Sequence, residues 1–572
     1  MDLLNNEEQA HASSTRSGHI RSAANDSLMN GASEISRREF CASALAASLS
    51  LTTKAFSDST KHHTDYKCQY TLSDYKSDVV NIGLKNTWEK ICSRVMAEGE
   101  DEDGILRISN FGELYEIGLA LTNKDAKKSN GQYFTPPDVC RIMAEWFDRC
   151  KGDIICDVGC GVGNLILGYF KYIGKDRATK ILSEGRLHLY DLDEVAIFVC
   201  VKSLAIRYGR DVERMINVHQ GDFLDTNLCL PKNCKVITNP PYAAVGNIPE
   251  SWPQSDVIRE SKELYAAFME KILRESQSSV IITPYSFIGG KMFYPLRRLM
   301  SSHEGFVVSF DNVPGTIFCG RKHGIFNSNT GNSVRAAITV VENEGTAKGF
   351  RFSPLIRFKA AERERLLKCN VLESFVGTKH QVVDHTHTMF AKCDRRLEDV
   401  FNAWLNASET HLEKYLCAVG KHKMFVPNSC RYFTVAASRS LSRKGQMSLC
   451  FSDEDVFWYT FCMVNSSFAY WHWRLYDGGI TYPKGLLLQM PMFVNRLNTD
   501  DKIFLKSIAK EMIACSDKYI ITKNNVGAQE NIKYPHKYRN AINQRLLNAI
   551  GINKDAKIFD IVHSNMALEV SI

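Results

Sequence analysis

The fold is decided by the stretch Asp157-Val158-Gly159-Cys160-Gly161-Val162-Gly163-Asn164-Leu165. An apolar run precedes it and a helical pattern follows it, which predicts a strand, a glycine-rich turn and a helix. Glycine has no Cβ, so the backbone of the turn can approach a ligand closely and adopt positive φ. The topology places that ligand at the carboxyl end of the sheet. The turn alone does not identify the ligand, because unrelated turns and other nucleotide folds share the pattern.

Short apolar runs alternate with amphipathic stretches from about Gly131 to Asn343. The runs are Ile154-Ile155-Cys156, Leu187-His188-Leu189-Tyr190, Val236-Ile237-Thr238, Val280-Ile281-Ile282, Phe306-Val307-Val308 and Ala336-Ala337-Ile338-Thr339-Val340. Strands and helices that take turns in this way predict βαβ units. We therefore expect an α/β fold with a Rossmann-like, doubly wound and mostly parallel sheet that has helices on both faces.

Two later strand ends carry side chains that suit an adenosyl ligand. Asp191, about 30 residues after the glycines, can bind both hydroxyls of a ribose, as in dinucleotide folds. Asp222 can accept a hydrogen bond from an adenine amino group, and Phe223 can stack on the ring. An ordinary turn acid and a core aromatic remain alternatives for Asp222 and Phe223.

The fourth apolar strand runs directly into Asn239-Pro240-Pro241-Tyr242. Neither proline can donate a ladder hydrogen bond, so the chain must leave the sheet in a rigid, extended turn. Such a turn can fix the Asn239 amide and the Pro240 carbonyl as acceptors for an exocyclic amine. The Tyr242 ring can stack on the base that carries the amine.

These four strand ends, in this order, resemble the amino-methylating DNA methyltransferases of the N6-adenine class found in restriction-modification enzymes. Gly131 to Pro137 is similar to the segment of that class that contacts the methionine part of the cofactor. Further similarities lie in Glu263 to Phe268, Thr283 to Ile288, Phe310 to Phe318 and, in the recognition region, Asn465 to Arg474. Val158 departs from the pattern, since many relatives have proline there. The resemblance covers Gly131 to about Val341 well and the flanks loosely.

The resemblance implies a class I methyltransferase that transfers a methyl group from S-adenosylmethionine to N6 of a flipped-out adenine in double-stranded DNA. It assigns the catalytic role to Asn239, Pro240, Pro241 and Tyr242. The implied cofactor-binding residues are Tyr133, Thr135, Asp157, Gly159, Gly161, Gly163, Asp191, Asp222 and Phe223. No metal is implied.

The remaining sequence divides by composition. We expect a disordered N-terminal arm over 1–65, a helical N-terminal subdomain over 66–130 and the catalytic domain over 131–345. A separate α+β target-recognition domain is expected over 346–500, and a C-terminal helical segment over 501–572. Trp471 and Trp473 are expected to pack in a core rather than to stack on bases.

A basic window from His411 to Cys450 holds seven basic residues and one acid, against a net charge of +7 for the whole chain. With a DNA substrate expected, the window favours contacts to phosphates, although an ordinary solvated face is the alternative. The predicted DNA-binding residues are Lys421, Lys423, Arg431, Arg439, Arg443 and Lys444.

Several classes of protein are disfavoured. No apolar run approaches the roughly 20 residues of a membrane span, and the 18 cysteines are scattered, which is typical of a reduced, cytoplasmic chain. The motif Ser36 to Phe40 resembles a twin-arginine export signal, but its leader is acidic. Three other functions stay open: a catalytically silent DNA-binding or specificity subunit, an N4-cytosine methyltransferase and a protein-glutamine methyltransferase. A restriction endonuclease, if present, is expected on a separate chain.

Overall fold

The computed structural model describes residues 135–318, 322–323, 326–327, 334–343, 347–523 and 529–568. The predicted N-terminal arm, the predicted helical subdomain and the predicted cofactor residue Tyr133 lie outside these residues. The described helices are α1 Pro137–Arg149, α2 Asn164–Ile173, α3 Lys175–Ser183, α4 Glu194–Tyr208, α5 Asp256–Ser261, α6 Leu264–Glu275, α7 Tyr294–Met300, α8 Arg363–Leu366, α9 Cys369–Ser374, α10 Glu398–Ala407, α11 Glu454–Asn465, α12 Ser467–Tyr476, α13 Lys484–Leu488, α14 Thr499–Ala514, α15 His536–Ala549 and α16 Asp560–His563.

The described strands are short, and many are rich in β-branched and aromatic residues, as expected for strands. They are β1 Ile154–Val158, β2 Leu187–Asp191, β3 Asn217–Gln220, β4 Cys234–Thr238, β5 Ser278–Pro284, β6 Glu304–Phe310, β7 Lys322–His323, β8 Phe326–Asn327, β9 Ala336–Glu342, β10 Gly349–Ile356, β11 Thr410–His411, β12 His422–Pro427, β13 Gln446–Phe451, β14 Pro491–Met492, β15 Ile520–Lys523 and β16 Gln529–Ile532.

The chain divides into two compact units. The described part of the first comprises residues 135–284 and the described residues of 316–334 and 338–345, and the second comprises 285–315, 335–337 and the described residues from 347 onward. Residues 285–315, which fall inside the predicted catalytic span 131–345, thus belong to the second unit. The predicted division by function stays a prediction.

The sheet of the first unit has the strand order β3–β2–β1–β4–β5, with β9 beside β5. The pairings from β3 to β5 are all parallel, and Asp157 on β1 lies opposite Leu189 on β2 and Ile237 on β4. This mostly parallel sheet with intervening helices confirms the predicted Rossmann-like fold. The direction of winding changes between β1 and β4, and such a switch point opens a crevice at the carboxyl ends of the strands.

Strand β4 is anchored below its carboxyl end by a buried lysine. The Nζ of Lys235 donates to the Phe147 carbonyl at 2.9 Å and to the Tyr169 hydroxyl at 3.4 Å. It also lies 4.5 Å from the centre of the Phe147 ring. A buried ammonium that uses its hydrogens in this way costs less to desolvate. Lys235 therefore ties β4 to α1 and α2, which cover that side of the sheet.

The second unit combines helices with antiparallel hairpins, β12 with β13 and β15 with β16, and with the parallel pair β6 and β10. One hydrophobic core extends from Ala391 to Phe559, so the predicted regions 346–500 and 501–572 share a core. Trp471 and Trp473 are 3% and 0% exposed, which confirms that both pack in it.

A buried ion cluster lies in the second unit around Asp311, which directly follows β6. Its carboxylate accepts from Arg335 Nε at 2.9 Å, Arg357 Nε at 3.0 Å and Arg474 Nη1 at 2.8 Å. Arg357 also donates to the Tyr470 hydroxyl and Arg474 to the Leu355 carbonyl. Burial alone would raise the pKa of Asp311, but the three guanidinium groups outweigh it and hold the pKa at about 2.

Among the helices that the structure describes, none combines the length and the apolar character needed to cross a membrane.

Candidate functional site

The glycine-rich turn follows β1 as predicted. The N–H groups of Gly159 and Cys160 both donate to the Tyr190 carbonyl, at 2.7 and 3.0 Å, which holds the turn against the end of β2. Gly161 and Gly163 have φ of +52° and +87°, a region that other residues rarely adopt. A Cβ on Gly163 would also clash with Cys200 Sγ, whereas a Cβ on Gly161 would meet no described atom within 4 Å. The turn is therefore closed on the Gly163 side and open at Gly161.

Asp157, on β1 just before this turn, is a buried carboxylate that is 1% exposed. Neither of its oxygens forms a hydrogen bond with any residue that the structure describes. Burial, followed by the charge of Asp191, raises the pKa of Asp157 to about 8, and the nearby Ile166 N–H offsets this only in part. Buried polar groups are nearly always hydrogen-bonded, so a buried carboxylate without a hydrogen bond to a described residue is a candidate for a ligand contact.

Asp191 ends β2 and holds the open side of the turn. Its Oδ2 accepts from the Gly161 N–H at 2.7 Å, and its Oδ1 accepts from the Asp193 N–H at 2.9 Å. Burial raises the pKa of Asp191 to about 6, although these two N–H groups oppose the shift. One carboxylate thus fixes the glycine turn and stands at the place where the sequence predicts a ribose contact.

The predicted Asp222-Phe223 pair lies in the turn after β3. Asp222 Oδ1 accepts from the Leu224 N–H at 3.0 Å. The Phe223 side chain is buried, with its ring centre 5.8 Å from that of Tyr190 and 5.0 Å from that of Phe268. Asp222 is therefore a turn acid and Phe223 a packed aromatic, and both roles are compatible with a ligand contact.

Lys271 on α6 holds this turn, and the sequence pattern did not reveal it. Its Nζ donates to the carbonyls of Phe223 and Asp225 at 2.8 Å and to that of Leu228 at 2.5 Å. The same ammonium lies 4.9 Å from the centre of the Phe223 ring. Burial lowers the pKa of Lys271. The available signal is a lone lysine on a helix whose neighbours from Tyr265 to Leu273 are almost all apolar.

Trp252 is a second residue that the sequence pattern did not reveal. Its Nε1 donates to Asp222 Oδ2 at 2.6 Å, a short bond to a charged acceptor. The half-buried Trp252 lies in the segment between the Asn-Pro-Pro-Tyr turn and α5. Its signal in the sequence is a single tryptophan in an otherwise polar stretch with prolines.

The Asn-Pro-Pro-Tyr turn leaves β4 beside the glycine turn. Thr238 Oγ1 donates to the Val158 carbonyl at 2.5 Å, which locks the last residue of β4 to the last residue of β1. Asn239 Nδ2 then donates to Thr135 Oγ1 at 3.0 Å, and Thr135 is buried. Thr135, expected to close the cofactor pocket, thus contacts the Asn239 amide and orients its Oδ1 as the acceptor end.

The Tyr242 side chain is held through its hydroxyl and through its ring. Its hydroxyl donates to the Ile282 carbonyl at 3.2 Å on β5. Its ring makes edge contacts with Tyr265 at 6.3 Å and Phe318 at 6.2 Å between ring centres. Backbone pairing of Ala243 with Leu264 and of Val245 with Lys262 fixes the chain that follows. The aromatic ring therefore has a defined position next to Asn239.

The described site residues thus converge on one edge of one sheet. Asp157 and the glycines follow β1, Asp191 ends β2, Asp222 and Phe223 follow β3, and the tetrapeptide follows β4. The carboxyl ends of parallel strands meet at the same edge, so these groups lie at the edge where the switch point between β1 and β4 is found.

The predicted DNA-binding residues belong to the second unit and differ from one another. Arg439 pairs with Asp517 at 3.2 Å and Glu530 at 3.5 Å. Arg443 is half-buried and donates to Ser429 Oγ at 2.5 Å and to the Glu530 carbonyl at 3.3 Å. Those two arginines have structural partners. The remaining four are exposed: Lys421, Lys423, Arg431 and Lys444.

Residues 107–282 match the family model for N-6 DNA Methylase. This match confirms the resemblance that the strand ends and the tetrapeptide predicted for this part of the chain. It covers β1 to β4 with their turns, and therefore the described site as a whole.

Two curated relatives are restriction-enzyme subunits. The chain is 27% identical over 147 residues to the type I restriction enzyme MpnII methylase subunit of Mycoplasma pneumoniae, covering 24% of this chain and 26% of that protein. It is 20% identical over 230 residues to the EcoEI methylase subunit of Escherichia coli, covering 39% and 44%. The chain thus spans less than half the length of the curated relatives it matches. Among solved structures, the type ISP restriction-modification enzyme LlaGI in complex with a DNA substrate mimic is 11% identical, with a TM-score of 0.45, covering 83% of this chain and 62% of that one.

Proposed function

We propose that this protein is a site-specific DNA methyltransferase that transfers a methyl group from S-adenosylmethionine to N6 of an adenine, as part of a restriction-modification system. The observation that carries the proposal is that Asn239-Pro240-Pro241-Tyr242 follows β4, the strand that pairs with β1 and its buried Asp157, inside the N-6 DNA Methylase match. The names of the two curated relatives add support for the restriction-modification setting.

The residues at the crevice fit S-adenosylmethionine. The ligand carries an ammonium and a sulfonium, and these cations would lower the raised pKa of the buried Asp157, so that its carboxylate could pair with them. Space at Gly161 would let the backbone come close to the ligand, Asp191 would bind the ribose hydroxyls, and Asp222 with Phe223 would offer an acceptor and a ring for the adenine. When bound, this cofactor supplies the methyl group as an electrophile.

The chain's own residues supply orientation. The lone pair of an adenine amine is delocalised into the ring, so the amine is a weak nucleophile. Asn239 Oδ1 and the Pro240 carbonyl would accept hydrogen bonds from its two N–H groups, which favours a pyramidal nitrogen, while Tyr242 stacks on the base. The nitrogen would release one of these protons to solvent once it carries the methyl group. Positioning and electrostatics of this kind supply the rate without a covalent intermediate.

A double-stranded substrate imposes one further step. The amine is paired inside the duplex and must rotate out before it can reach Asn239, at a cost of a few kcal/mol. The exposed cations of the second unit, Lys421 and Lys423 among them, would contribute the phosphate contacts that offset this cost. A separately encoded restriction endonuclease would be the partner of the system.

The deciding experiment is expression of the full chain in a methylation-free host, followed by modification-sensitive sequencing of the host genome. We expect N6-methyladenine within one short recognition sequence, and no modification with Asn239→Ala as the matched control. Methylation at cytosine N4 or methylation of protein glutamine would overturn the adenine assignment. No modification, even with co-expressed partner subunits, would favour a catalytically silent DNA-binding subunit.

A further inference from the structure

The turn after β3 is held from two sides by residues outside the tetrapeptide. From one side, Lys271 uses its ammonium on three turn carbonyls. From the other, the segment that follows the tetrapeptide makes two bonds: Trp252 Nε1 to Asp222 Oδ2 at 2.6 Å and the Thr226 N–H to the Ser251 carbonyl at 2.9 Å. The Lys271 bonds fix the backbone of the turn. Of the bonds just described, only that of Trp252 reaches the Asp222 carboxylate.

The segment that carries Trp252 is itself well anchored. Its start pairs with the chain before α6, through Ala243 and Val245. At its end, Ser255 caps α5 by accepting from the Ile258 N–H at 3.2 Å, and its hydroxyl donates to Glu270 Oε2 at 2.5 Å. A side chain on a segment that is anchored at both ends loses less freedom when it makes its bond than one on a mobile loop. Trp252 can therefore hold Asp222 in one orientation.

We propose that Trp252 is a positioning residue that orients the Asp222 carboxylate so that the site selects a purine with a 6-amino group. This inference rests on the proposed function and deepens it, because it names what sets specificity for the nucleoside part of the cofactor. Asp222 Oδ1 already accepts from Leu224 and Oδ2 from Trp252. A carboxylate offers about four acceptor sites, so it can accept a further hydrogen bond from a ligand amine.

The orientation of the Asp222 carboxylate affects the choice between 6-amino and 6-oxo purines more than it affects the affinity for purines in general. A carboxylate that is already in place accepts from a 6-amino group, whereas the same carboxylate faces the carbonyl oxygen of a 6-oxo purine and repels it. If the carboxylate could rotate, both the gain and the penalty would shrink. Loss of the Trp252 indole N–H is thus expected to reduce the ratio of the affinity for the 6-amino ligand to the affinity for the 6-oxo ligand.

The test is calorimetry on the full chain with S-adenosylhomocysteine and its hypoxanthine analogue, comparing wild type with Trp252→Phe. Phenylalanine retains most of the packing and removes the donor. We expect the variant to bind S-adenosylhomocysteine about 3- to 10-fold more weakly, the range for one hydrogen bond, and the analogue with nearly unchanged affinity. The ratio is insensitive to any loss of folded protein, since both ligands would report it equally.

Trp458→Phe is the matched control, since Trp458 in the second unit makes the same type of bond, Nε1 to Glu454 Oε1 at 3.0 Å. It should leave both affinities unchanged. If Trp252 acts through Asp222, Asp222→Asn should lower the ratio, and adding Trp252→Phe to it should lower it no further.

Two results would overturn the inference in different ways. Equal weakening of both ligands by Trp252→Phe would reduce Trp252 to a structural residue and leave the proposed function intact. Absence of S-adenosylhomocysteine binding to the wild type would overturn the proposed function and this inference with it.

Discussion

Asp157 in the first unit and Asp311 in the second are both buried carboxylates, 1% and 3% exposed, but their surroundings are opposite. Asp157 forms no hydrogen bond with a described residue, and its pKa is raised to about 8. Asp311 accepts from three arginines, and its pKa is lowered to about 2. Burial penalises charge in both places, so the difference comes from the partners that each carboxylate has.

Under the proposed function, this difference separates a group that stabilises the fold, Asp311, from one that would bind the cofactor, Asp157. A carboxylate with its own cations contributes to the folded chain whether or not a ligand is present. A buried carboxylic acid without cationic partners costs free energy in the ligand-free protein. Proteins keep such costly groups at sites where binding or catalysis requires them. The first unit keeps such a group at the carboxyl end of a parallel strand, where ligands of this fold bind.

The strongest test of the comparison is the stability of two variants. Asp311→Ala leaves three buried guanidinium groups without their anion, so we expect it to lower the free energy of unfolding by about 3–5 kcal/mol. Asp157→Asn replaces a buried acid that lacks partners with a neutral side chain of the same shape, and we expect no loss of unfolding free energy. Thermal and urea unfolding of the full chain would measure both.

The order of the two variants should reverse when cofactor affinity is measured instead of stability. Asp157→Asn is expected to lose measurable affinity for S-adenosylmethionine, while Asp311→Ala, at a temperature where it remains folded, retains it. A destabilised Asp157→Asn chain that still binds the cofactor would break the distinction drawn between the two carboxylates.

Asn239→Ala sharpens the comparison within the first unit. Asn239 is expected to accept a hydrogen bond from the target adenine, whereas Asp157 is expected to contact the cofactor. We expect methyl transfer to DNA to fall by at least about 10²–10³-fold, the range for removal of one preorganised polar group. Cofactor affinity should stay largely intact. Steady-state rates with tritiated cofactor, alongside calorimetry, separate the two; wild-type activity in this variant would refute the assignment of Asn239.

A smaller effect is expected in the pH dependence of stability. Folded Asp157 retains its proton up to about pH 8, whereas an unfolded aspartate loses it near its ordinary value of 3.8. The folded chain therefore binds more protons between these pH values, and the free energy of unfolding falls as pH rises through this window, by at most about 1.4 kcal/mol per pH unit. Asp191 acts in the same direction up to about pH 6.

The contribution of Asp311 has the opposite sign, since its lowered pKa gives stability that is lost as pH falls from about 4 towards 2. The check is the difference in unfolding free energy between wild type and Asp157→Asn at pH 5 and pH 7.5. The variant should gain relative to wild type at the higher pH. A difference that does not change with pH would argue against a protonated Asp157.

The smallest effect is expected in DNA affinity. It compares the exposed Lys421 and Lys423 with Arg439, whose guanidinium pairs with two carboxylates. Lys421→Ala together with Lys423→Ala should weaken DNA binding several-fold and reduce the slope of log affinity against log salt by up to about 0.9 for each phosphate that is no longer neutralised. Arg439→Ala should do less, because Asp517 and Glu530 already engage its guanidinium. Fluorescence anisotropy with labelled DNA across a salt series measures the affinity and its salt dependence for each variant. Equal losses of affinity would mean that the ion pairs of Arg439 do not keep it from contacting DNA.

The parts of the site that follow strand ends could be predicted, because apolar runs, glycines and prolines report local backbone requirements. Asp157, Asp191 and the tetrapeptide all come from such signals, and the structure places them at one edge. The bonds of Thr135, Lys271 and Trp252 could not be predicted, since they depend on tertiary contacts that span 104, 48 and 30 residues. The inclusion of residues 285–315 in the second unit is likewise a matter of packing rather than of local pattern.

The contact between Gly163 and Cys200 also constrains how this protein can evolve. Any side chain at position 163 would collide with Cys200 Sγ, and a smaller residue at 200 would relieve only the collision. The backbone at 163 would still require φ of +87°, which other residues adopt only with strain. Position 163 is therefore closed to substitution from two independent causes, one of which lies on α4 outside the glycine motif. A change at position 200 alone cannot open position 163.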